Sequence, residues 1–335
     1  MTATNDVRLG TRGPSVFPIA LGCMGMGTGS WYGDSDEAES IATIHEAIER
    51  GVDVLDTGDF YGMGRNELLV GKALKGRRDK VLLSVKFGAF RGPDGEFLGL
   101  DARPAATKNA LAHSLSRLGV DYIDIYRPAR LDPNVPIEDT VGAIADMVKA
   151  GYARYIGLSE VGVETIRRAA KVHPICDLQI EYALVSRNVE VSIIPALREL
   201  GIAMTAYGVL SHGFLAGAKP SGKSDIRAHM PRFSPENAER NEPLVDALAR
   251  IAAQKGVSPA QLAIAWVRAK GAAQKVTIIP TIGARTRKQL VDALSSLDVS
   301  LDASEIAALE AAVPASRVAG TRYPEAQMAI LDSEK

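Results

Sequence analysis

Residues 122–158, YIDIYRPARLDPNVPIEDTVGAIADMVKAGYARYIGL, contain the clearest structural pattern in the chain. An apolar run at Tyr122–Tyr126 is followed by an amphipathic stretch, Ile137–Lys149, and by a second apolar run, Ala153–Leu158. The middle stretch has helical periodicity and ends just before Gly151, and glycine is the residue that most often closes a helix. A strand, a helix and a second strand in this order predict a βαβ unit whose two strands are parallel.

The same alternation of short apolar runs and longer amphipathic stretches continues along most of the chain. We predict eight strands, at Pro18–Gly22, Val52–Thr57, Val81–Phe87, Tyr122–Tyr126, Ala153–Leu158, Asp177–Glu181, Ala203–Tyr207 and Val276–Pro280. The amphipathic stretches include Glu37–Arg50, Pro104–Leu118, Ile137–Lys149, Val163–Val172 and Val189–Leu200. This alternation predicts a single domain over residues 1–335, folded as an α/β TIM barrel, (β/α)8. An open doubly wound sheet is the alternative, but the early glycine-rich run lacks the Gly-x-Gly-x-x-Gly spacing of its phosphate-binding turn.

Three segments lie outside this alternation. Residues 1–17 contain two short apolar runs, Val7–Leu9 and Ser15–Phe17, joined by a Gly-Pro pair, and they predict a β-hairpin that plugs the bottom of the barrel. Residues 211–241 are rich in Gly, Pro, Ser and charge and follow the seventh strand, which predicts a long loop that acts as a lid on the C-terminal face. Residues 314–335 form a tail that we expect to fold over the same face.

Composition and charge exclude several classes of protein. Of the 335 residues, 46% are hydrophobic and 24% are charged, which is typical of a folded globular chain. The net charge of −1 gives no basic surface for nucleic acid or for a membrane. The two cysteines, Cys23 and Cys176, and the five histidines show no metal-ligand spacing, so we predict no metal. With so few cysteines and no apolar leader in Met1–Arg12, we expect a cytoplasmic protein, and no feature predicts its oligomeric state.

Polar residues at the ends of neighbouring strands indicate chemistry. The second strand contains Asp56 and is closely followed by Tyr61, while the third strand carries Lys86 among apolar residues. A buried lysine is costly unless it is paired, and Asp56 is its natural partner; a purely structural ion pair is the alternative. A cation about 4 Å from a phenol contributes on the order of 4 kcal/mol at an effective dielectric constant of about 20, which predicts that Lys86 lowers the pKa of Tyr61. Tyr61 would then donate a proton near neutral pH, as the reduction of a carbonyl requires.

With these residues in place, the chain resembles the aldo-keto reductases. Asp56, Tyr61 and Lys86 match the Asp, Tyr and Lys of that family's catalytic site. The resemblance continues through Tyr207 and through residues 157–160, 179–182, 213–215, 242–267 and 279–293. It implies a TIM barrel, NADPH/NADP+ as cofactor, and reversible hydride transfer between NADPH and the carbonyl of a small aldehyde or ketone. It also implies that Tyr61 is the general acid and that Lys86 and Asp56 assist it.

The resemblance also implies which residues bind the cofactor and the substrate. The residues expected at the nicotinamide are Ser159 and Gln179, by hydrogen bonds to the carboxamide, and Tyr207, by stacking on the ring. The residues expected to line the pyrophosphate are Leu210, Gly213 and Leu215. The residues expected at the adenosine 2′-phosphate are Gly283, Arg285, Gln289 and Asp292, of which Arg285 offers the forked, charged donors that suit a phosphate. The residues expected in the substrate pocket are Trp31, Tyr32 and Arg127.

Two positions depart from the family pattern. A His usually stands at the end of the fourth strand before an Arg-x-Asp-Pro sequence, and here Ala129 precedes Arg130 in that sequence. Ala293 stands where the family usually has an Asn against the adenine. Loss of a preorganised donor such as the His costs about 10²–10³ in rate, so we expect a different kind of carbonyl, a replacement donor such as Arg127 or water, or slow turnover. The alternative is a cofactor-binding regulatory or sensor subunit with little turnover.

Overall fold

A barrel of parallel strands forms the centre of the protein, whose computed structural model describes residues 6–33, 35–222 and 225–335. The strands are β1 Val7–Arg8, β2 Ser15–Val16, β3 Ala20–Gly22, β4 Val54–Gly58, β5 Leu82–Phe87, β6 Ala89–Arg91, β7 Phe97–Leu100, β8 Ile123–Pro128, β9 Ala153–Ser159, β10 Ile175–Glu181, β11 Ala203–Tyr207 and β12 Ile278–Gly283. In this described part of the chain, β3, β4, β5, β8, β9, β10, β11 and β12 are hydrogen-bonded in that order, and β12 pairs with β3 to close the barrel. The TIM barrel predicted from the sequence is therefore confirmed.

Each barrel strand overlaps one predicted strand, and the differences lie at the ends. β8 continues to Pro128 instead of ending at Tyr126, and β12 covers Ile278–Gly283 instead of Val276–Pro280. The end of β8 is set by its pairing with β5, in which Phe87 lies opposite Pro128. The β propensity of the local sequence does not predict this end, because the last residue of a strand depends on the backbone pairing with the neighbouring strand.

Helices cover the outside of the barrel. They are α1 Glu37–Glu49, α2 Arg65–Ala73, α3 Pro104–Leu118, α4 Ile137–Lys149, α5 Val163–Val172, α6 Ile193–Leu200, α7 Pro235–Lys255, α8 Pro259–Gln274, α9 Arg287–Leu294, α10 Ala303–Ala312 and α11 Glu325–Met328. In α4, Ile137, Val141 and Ile144 recur at helical spacing and are buried, as expected of a helix that packs on a sheet. α3 ends at Gly119, whose φ of 66° is the left-handed conformation that closes helices. No described helix is both long enough and apolar enough to cross a membrane.

The N-terminal hairpin covers the end of the barrel where the strands begin. β1 and β2 pair in antiparallel fashion. Leu9 and Val16 are fully buried in one apolar cluster with the first residues of β3, β4 and β11. Of the range 1–17 predicted as a hairpin, residues 1–5 lie outside the described residues.

The segment predicted as a long loop, 211–241, is partly helical. α7 begins at Pro235, so the expected loop end at residue 241 is wrong, and residues 223–224 lie outside the described residues. The following stretch, 242–267, contains parts of two helices, because the chain leaves α7 at a left-handed Gly256 before α8 begins. Both α7 and α8 start with a Ser N-cap followed by Pro, the signal that fixes their boundaries.

The C-terminal tail crosses the face on which the barrel strands end. The Arg322 guanidinium and the Ser333 hydroxyl donate hydrogen bonds to the carboxylate of Glu160, the residue that follows β9. The hydroxyl of Tyr323 lies 2.9 Å from the hydroxyl of Tyr207, the last residue of β11. The tail is therefore hydrogen-bonded to the C-terminal ends of two barrel strands.

Candidate active site

The carboxylate of Asp56, on β4, is the centre of a buried polar cluster. Lys86, on β5, donates a hydrogen bond from Nζ to Asp56 Oδ1. The hydroxyl of Ser84 and the amide of Gln179 both donate to Asp56 Oδ2, each at 2.8 Å. Asp56 and Lys86 are only 5% and 4% exposed, so these protein groups take the place of water. The barrel thus brings together polar residues from β4, β5 and β10 that are far apart in the sequence.

Tyr61 lies on the turn that leaves β4, against Lys86. The Nζ atom of Lys86 is 5.1 Å from the centroid of the Tyr61 ring. The ring also meets Trp31 edge to face, with centroids 5.7 Å apart. Gly62 and Met63, the next two residues, have φ values of 55° and 57°, so the chain turns sharply there. This turn holds the phenol at the mouth of the barrel while leaving the side chain only 7% exposed.

The charges of the cluster differ from what the sequence predicts for Tyr61. Although burial raises the pKa of Asp56, the charges of Lys86 and Arg127 lower it below its ordinary range. Burial lowers the pKa of Lys86. Burial, followed by the charge of Asp56, raises the pKa of Tyr61 well above its ordinary value. The predicted lowering of the Tyr61 pKa is therefore wrong. Burial and the charge of Asp56 raise this pKa by more than the nearby cations lower it, so the phenol is protonated at neutral pH.

A second carboxyl group beside this turn, that of Asp59, makes the stability depend on pH. Burial, and then the charge of Glu67, raise the pKa of Asp59 to about 7, whereas in an unfolded chain it is about 3.9. Between these values the folded protein binds a proton that the unfolded chain does not, so the contribution of Asp59 to the free energy of unfolding falls as pH rises. We expect Asp59→Asn to raise Tm relative to the wild type more at about pH 8 than at about pH 5. Thermal unfolding at the two pH values measures this, and an equal shift at both would contradict it.

Arg127 is not in the substrate pocket, where the resemblance had suggested it. Its side chain is fully buried inside the barrel. The guanidinium donates to Asp177 Oδ2 at 2.9 Å and to Ser84 Oγ at 3.0 Å. Arg127 is therefore neither a substrate residue nor a replacement donor for the missing His, because its Nη1 and Nη2 groups both donate to side chains of the barrel interior. It supports Asp56 from below, through the Ser84 hydroxyl that donates to that carboxylate.

A hairpin formed by β6 and β7 lies beside the mouth of the barrel. The guanidinium of Arg91, on β6, lies 5.2 Å from the Trp31 ring and 5.4 Å from the Phe97 ring. Trp31, expected in the substrate pocket, thus connects the ring of Tyr61 to this hairpin. Its neighbour Tyr32, expected in the same pocket, hydrogen-bonds instead toward the loop that follows β11.

The residues expected at the nicotinamide lie at or near the ends of β9, β10 and β11. Ser159 is fully buried at the end of β9, and Gln179 donates to the central carboxylate. The hydroxyl of Tyr207, at the end of β11, donates to Glu160 at 2.6 Å. Although burial raises the pKa of Glu160, the Arg322 guanidinium lowers it to about 2, so the acceptor is charged. Tyr207 is therefore held in place by a charge-assisted hydrogen bond.

Two guanidinium groups flank Tyr32 farther out on the same face. Arg285 donates from Nη1 to the carbonyl oxygen of Tyr32 at 3.3 Å, and the guanidinium of Arg227 is 5.5 Å from the Tyr32 ring. The side chain of Gln289 accepts a hydrogen bond from the backbone of Arg285. Gly283 is exposed, and nothing lies within 4 Å of the position that a Cβ would take there. Arg227 is paired with Asp225 at 2.6 Å, so Arg285, beside open backbone, is the cation that fits a phosphate group of a nicotinamide dinucleotide.

His212 is a residue of this region that the sequence analysis missed. Its Nδ1 atom lies 2.6 Å from the hydroxyl of Tyr32, and it precedes Gly213 in a turn where both residues have positive φ values, 59° and 87°. Burial lowers the pKa of His212, so the ring is neutral. Its Nε2 atom is buried and has no hydrogen-bond partner among the described residues, which leaves a polar atom available to a ligand. The only signal in the sequence was its position beside Gly213.

Three residues expected to contact the cofactor have other contacts. Leu215 is fully buried, and its backbone N–H donates to the carbonyl of Leu210, which is itself packed on the core. The carboxylate of Asp292 accepts hydrogen bonds from Ser258 at 3.1 Å and from Gln261 at 2.8 Å. The side chain of Leu215 therefore packs in the core, and the carboxylate of Asp292 joins α9 to the start of α8.

Comparisons with known proteins agree with this geometry. A sequence model of the aldo/keto reductase family matches residues 18–314. A probable aldo-keto reductase 1 of Glycine max is 40% identical over 324 residues, which cover 95% of this chain and 91% of that protein. Among solved structures, a glycerol dehydrogenase of Gluconobacter oxydans is similar with a TM-score of 0.81 and 27% identity, covering 93% of this chain and 96% of the other.

Proposed function

The chain belongs to the aldo-keto reductase family, whose reaction is nicotinamide-dependent carbonyl oxidoreduction, and we propose that this member reduces an aldehyde or ketone with NADPH. The observation that carries the proposal is the convergence of Asp56, Lys86 and Tyr61, which we call the catalytic cluster. The cluster lies at the C-terminal ends of barrel strands, the face on which TIM-barrel enzymes hold their reacting groups. The reaction is reversible, with the alcohol as the other substrate.

In this proposal Tyr61 is the general acid. When bound, the cofactor supplies hydride to the carbonyl carbon. The Tyr61 hydroxyl gives its proton to the carbonyl oxygen, so that a C–H bond and an O–H bond replace the π bond. Because burial keeps the phenol protonated at neutral pH, the proton is present when the oxygen begins to carry charge. Lys86 stabilises the phenolate that remains, and Asp56 fixes the position of Lys86.

The proposal assigns cofactor binding to two groups of residues. Ser159, Gln179 and Tyr207 hold the nicotinamide beside the catalytic cluster. Arg285 and Gln289 hold the adenosine 2′-phosphate, with Arg285 as the charged donor. The preference for NADPH over NADH rests on Arg285, because only NADPH carries the phosphate that this guanidinium can bind.

Arg285→Ala is expected to weaken NADPH binding about 10- to 150-fold and NADH binding far less, because a charge-assisted contact contributes about 1.5–3 kcal/mol. Titration of protein fluorescence with each cofactor measures both affinities. Arg287→Ala is the matched control, since Arg287 is exposed and paired with Glu39 at 2.9 Å. Equal losses for the two cofactors in Arg285→Ala would show that Arg285 does not bind the phosphate.

A cofactor-binding sensor subunit with little turnover is the second candidate function. The observation that favours it is Ala129, which stands at the position of the family His and whose methyl group can neither donate a proton nor form a hydrogen bond. A sensor would bind NADPH tightly and leave it unoxidised.

Steady-state oxidation of NADPH with a panel of aldehydes and ketones separates the two functions. The reductase proposal predicts turnover with at least one class of carbonyl, and slower turnover when NADH replaces NADPH. Tight binding of NADPH without oxidation by any carbonyl of the panel would favour the sensor and overturn the proposed function.

A further inference from the structure

The end of β8 passes close to the catalytic cluster. Pairing of β5 with β8 sets Arg127 opposite Lys86, and the backbone N–H of Ala129 donates to the carbonyl of Phe87 at 2.8 Å. Ala129 is only 2% exposed and contributes no polar side-chain atom. The next residue, Arg130, is therefore the first charged side chain after β8 on the C-terminal face.

Arg130 extends along the strand ends toward β9. Its Nη1 atom donates to the carbonyl oxygen of Ala129 at 2.7 Å and lies 3.4 Å from Ser159 Oγ. Its charge also acts on the catalytic cluster. Burial and the charge of Asp56 raise the pKa of Tyr61, and the next largest effect is that of Arg130, which lowers this pKa. The guanidinium therefore lies beside the serine proposed to hold the nicotinamide, and its charge lowers the pKa of the proposed acid.

Arg130 differs from the three arginines that are buried among the described residues. Arg127, Arg232 and Arg322 each have a carboxylate partner, at 2.9, 3.4 and 2.6 Å. Among the residues that the structure describes, no carboxylate lies within ion-pair distance of Arg130, and its hydrogen bonds use Nη1 alone. Its Nε and Nη2 donors therefore have no acceptor among the described residues. A half-buried cation of this kind is suited to an acceptor that arrives with a ligand.

We propose that Arg130 is a catalytic residue whose guanidinium donates a hydrogen bond to the carbonyl oxygen of the substrate. It would take the role of the family His, whose position is occupied here by Ala129. This inference rests on the proposed function. Tyr61 still supplies the proton, and Arg130 transfers none, because a guanidinium stays protonated at all pH values at which the enzyme is folded. Its contribution is to stabilise the negative charge that develops on the oxygen. The site then has a second donor that does not titrate.

The first test is Arg130→Met, assayed with NADPH and 4-nitrobenzaldehyde as the probe. We expect kcat/KM to fall about 10²–10³-fold, the loss typical of removing one preorganised donor, while NADPH affinity stays the same. In Arg130→Ala, added guanidinium ion at a non-denaturing concentration should restore activity in a saturable way, and potassium ion at equal ionic strength should not. Arg167→Met is the control, because Arg167 is an exposed arginine paired with Glu199 on the outside of the barrel.

The second test places a hydrogen-bond donor at position 129 in the variant that lacks Arg130. Adding Ala129→His to Arg130→Met should recover part of the lost kcat/KM. Because an imidazole titrates at about pH 6.5, the recovered activity should fall as pH rises through that value. The wild type should show no such step, since its second donor is a guanidinium.

Binding of the aldehyde separates this inference from the proposed function. Calorimetric titration of 4-nitrobenzaldehyde into the NADP+ complex needs no turnover, and Arg130→Met should bind the aldehyde more weakly than the wild type. If no form of the protein reduces any carbonyl, the proposed function fails and this titration still decides the role of Arg130. Equal aldehyde affinity in the two forms, or a loss confined to NADPH affinity, would overturn the inference.

Discussion

Tyr61→Phe is expected to reduce the rate of carbonyl reduction about 10²–10⁴-fold while leaving NADPH affinity unchanged. The substitution removes one hydroxyl and keeps the ring, so the edge-to-face contact with Trp31 is preserved. The lost atom is the proton donor, and water enters poorly where the side chain is only 7% exposed. Steady-state kinetics for one aldehyde, together with a fluorescence titration of NADPH, measure both quantities.

Tyr126→Phe is the control for this experiment. Tyr126 is also buried, and its hydroxyl donates to the carbonyl of Thr107 at 3.2 Å, away from the catalytic cluster. Its loss should cost about 1 kcal/mol of stability and no activity. Wild-type turnover in Tyr61→Phe would remove the phenol from the mechanism.

Arg127→Met is expected to lower the free energy of unfolding by about 3–5 kcal/mol. Arg127 and its partner Asp177 are both fully buried, so the substitution leaves an uncompensated carboxylate inside the barrel. It also removes the donor to Ser84 and the second positive charge that keeps the pKa of Asp56 low. Urea unfolding followed by circular dichroism measures the loss.

A double variant tests the cause of this loss. Arg127→Met with Asp177→Asn removes the stranded charge, and Thr205 can still donate to the Asn side chain, as it does to Asp177. We expect the double variant to be more stable than Arg127→Met alone. If Arg127→Met costs less than about 1 kcal/mol, or if the second substitution destabilises further, the buried pair does not have the role assigned to it.

The barrel could be predicted from the sequence because its signal is repeated. Each βα unit has its own apolar strand and amphipathic helix, and α4 shows how closely the helical spacing in the sequence matches the buried face. The errors concern boundaries that depend on contacts between distant segments. The extension of β8 to Pro128 follows from its pairing with β5, and no local pattern near residue 128 records that pairing.

The candidate site was predictable in its residue types and less so in its electrostatics and side-chain directions. The pair Asp56–Lys86 follows from the cost of burying a lysine. The pKa of Tyr61 moves in the opposite direction to the prediction, because burial and the charge of Asp56 raise it by more than the nearby cations lower it. Arg127 was assigned to the pocket and Arg130 was not, because the sequence does not tell which arginine points into the barrel and which lies on its rim.

The contacts of the C-terminal tail could not be predicted from the sequence for a different reason. Arg322 lies more than a hundred positions from the strand ends it contacts, and a polar tail has no periodicity from which a contact can be predicted. In the folded protein it lowers the pKa of Glu160, which in turn holds the hydroxyl of Tyr207. Only the fold connects this arginine to the candidate site.

In the proposed reaction, the protein transfers hydride from NADPH to a carbonyl carbon. The most direct measurement uses NADPH deuterated at the transferable position of its nicotinamide, incubated with the enzyme and an aldehyde, and mass spectrometry of the product. We expect an alcohol that carries one deuterium on the former carbonyl carbon, formed by the wild type and almost absent with Tyr61→Phe. No alcohol, or an alcohol without deuterium on that carbon, would contradict it.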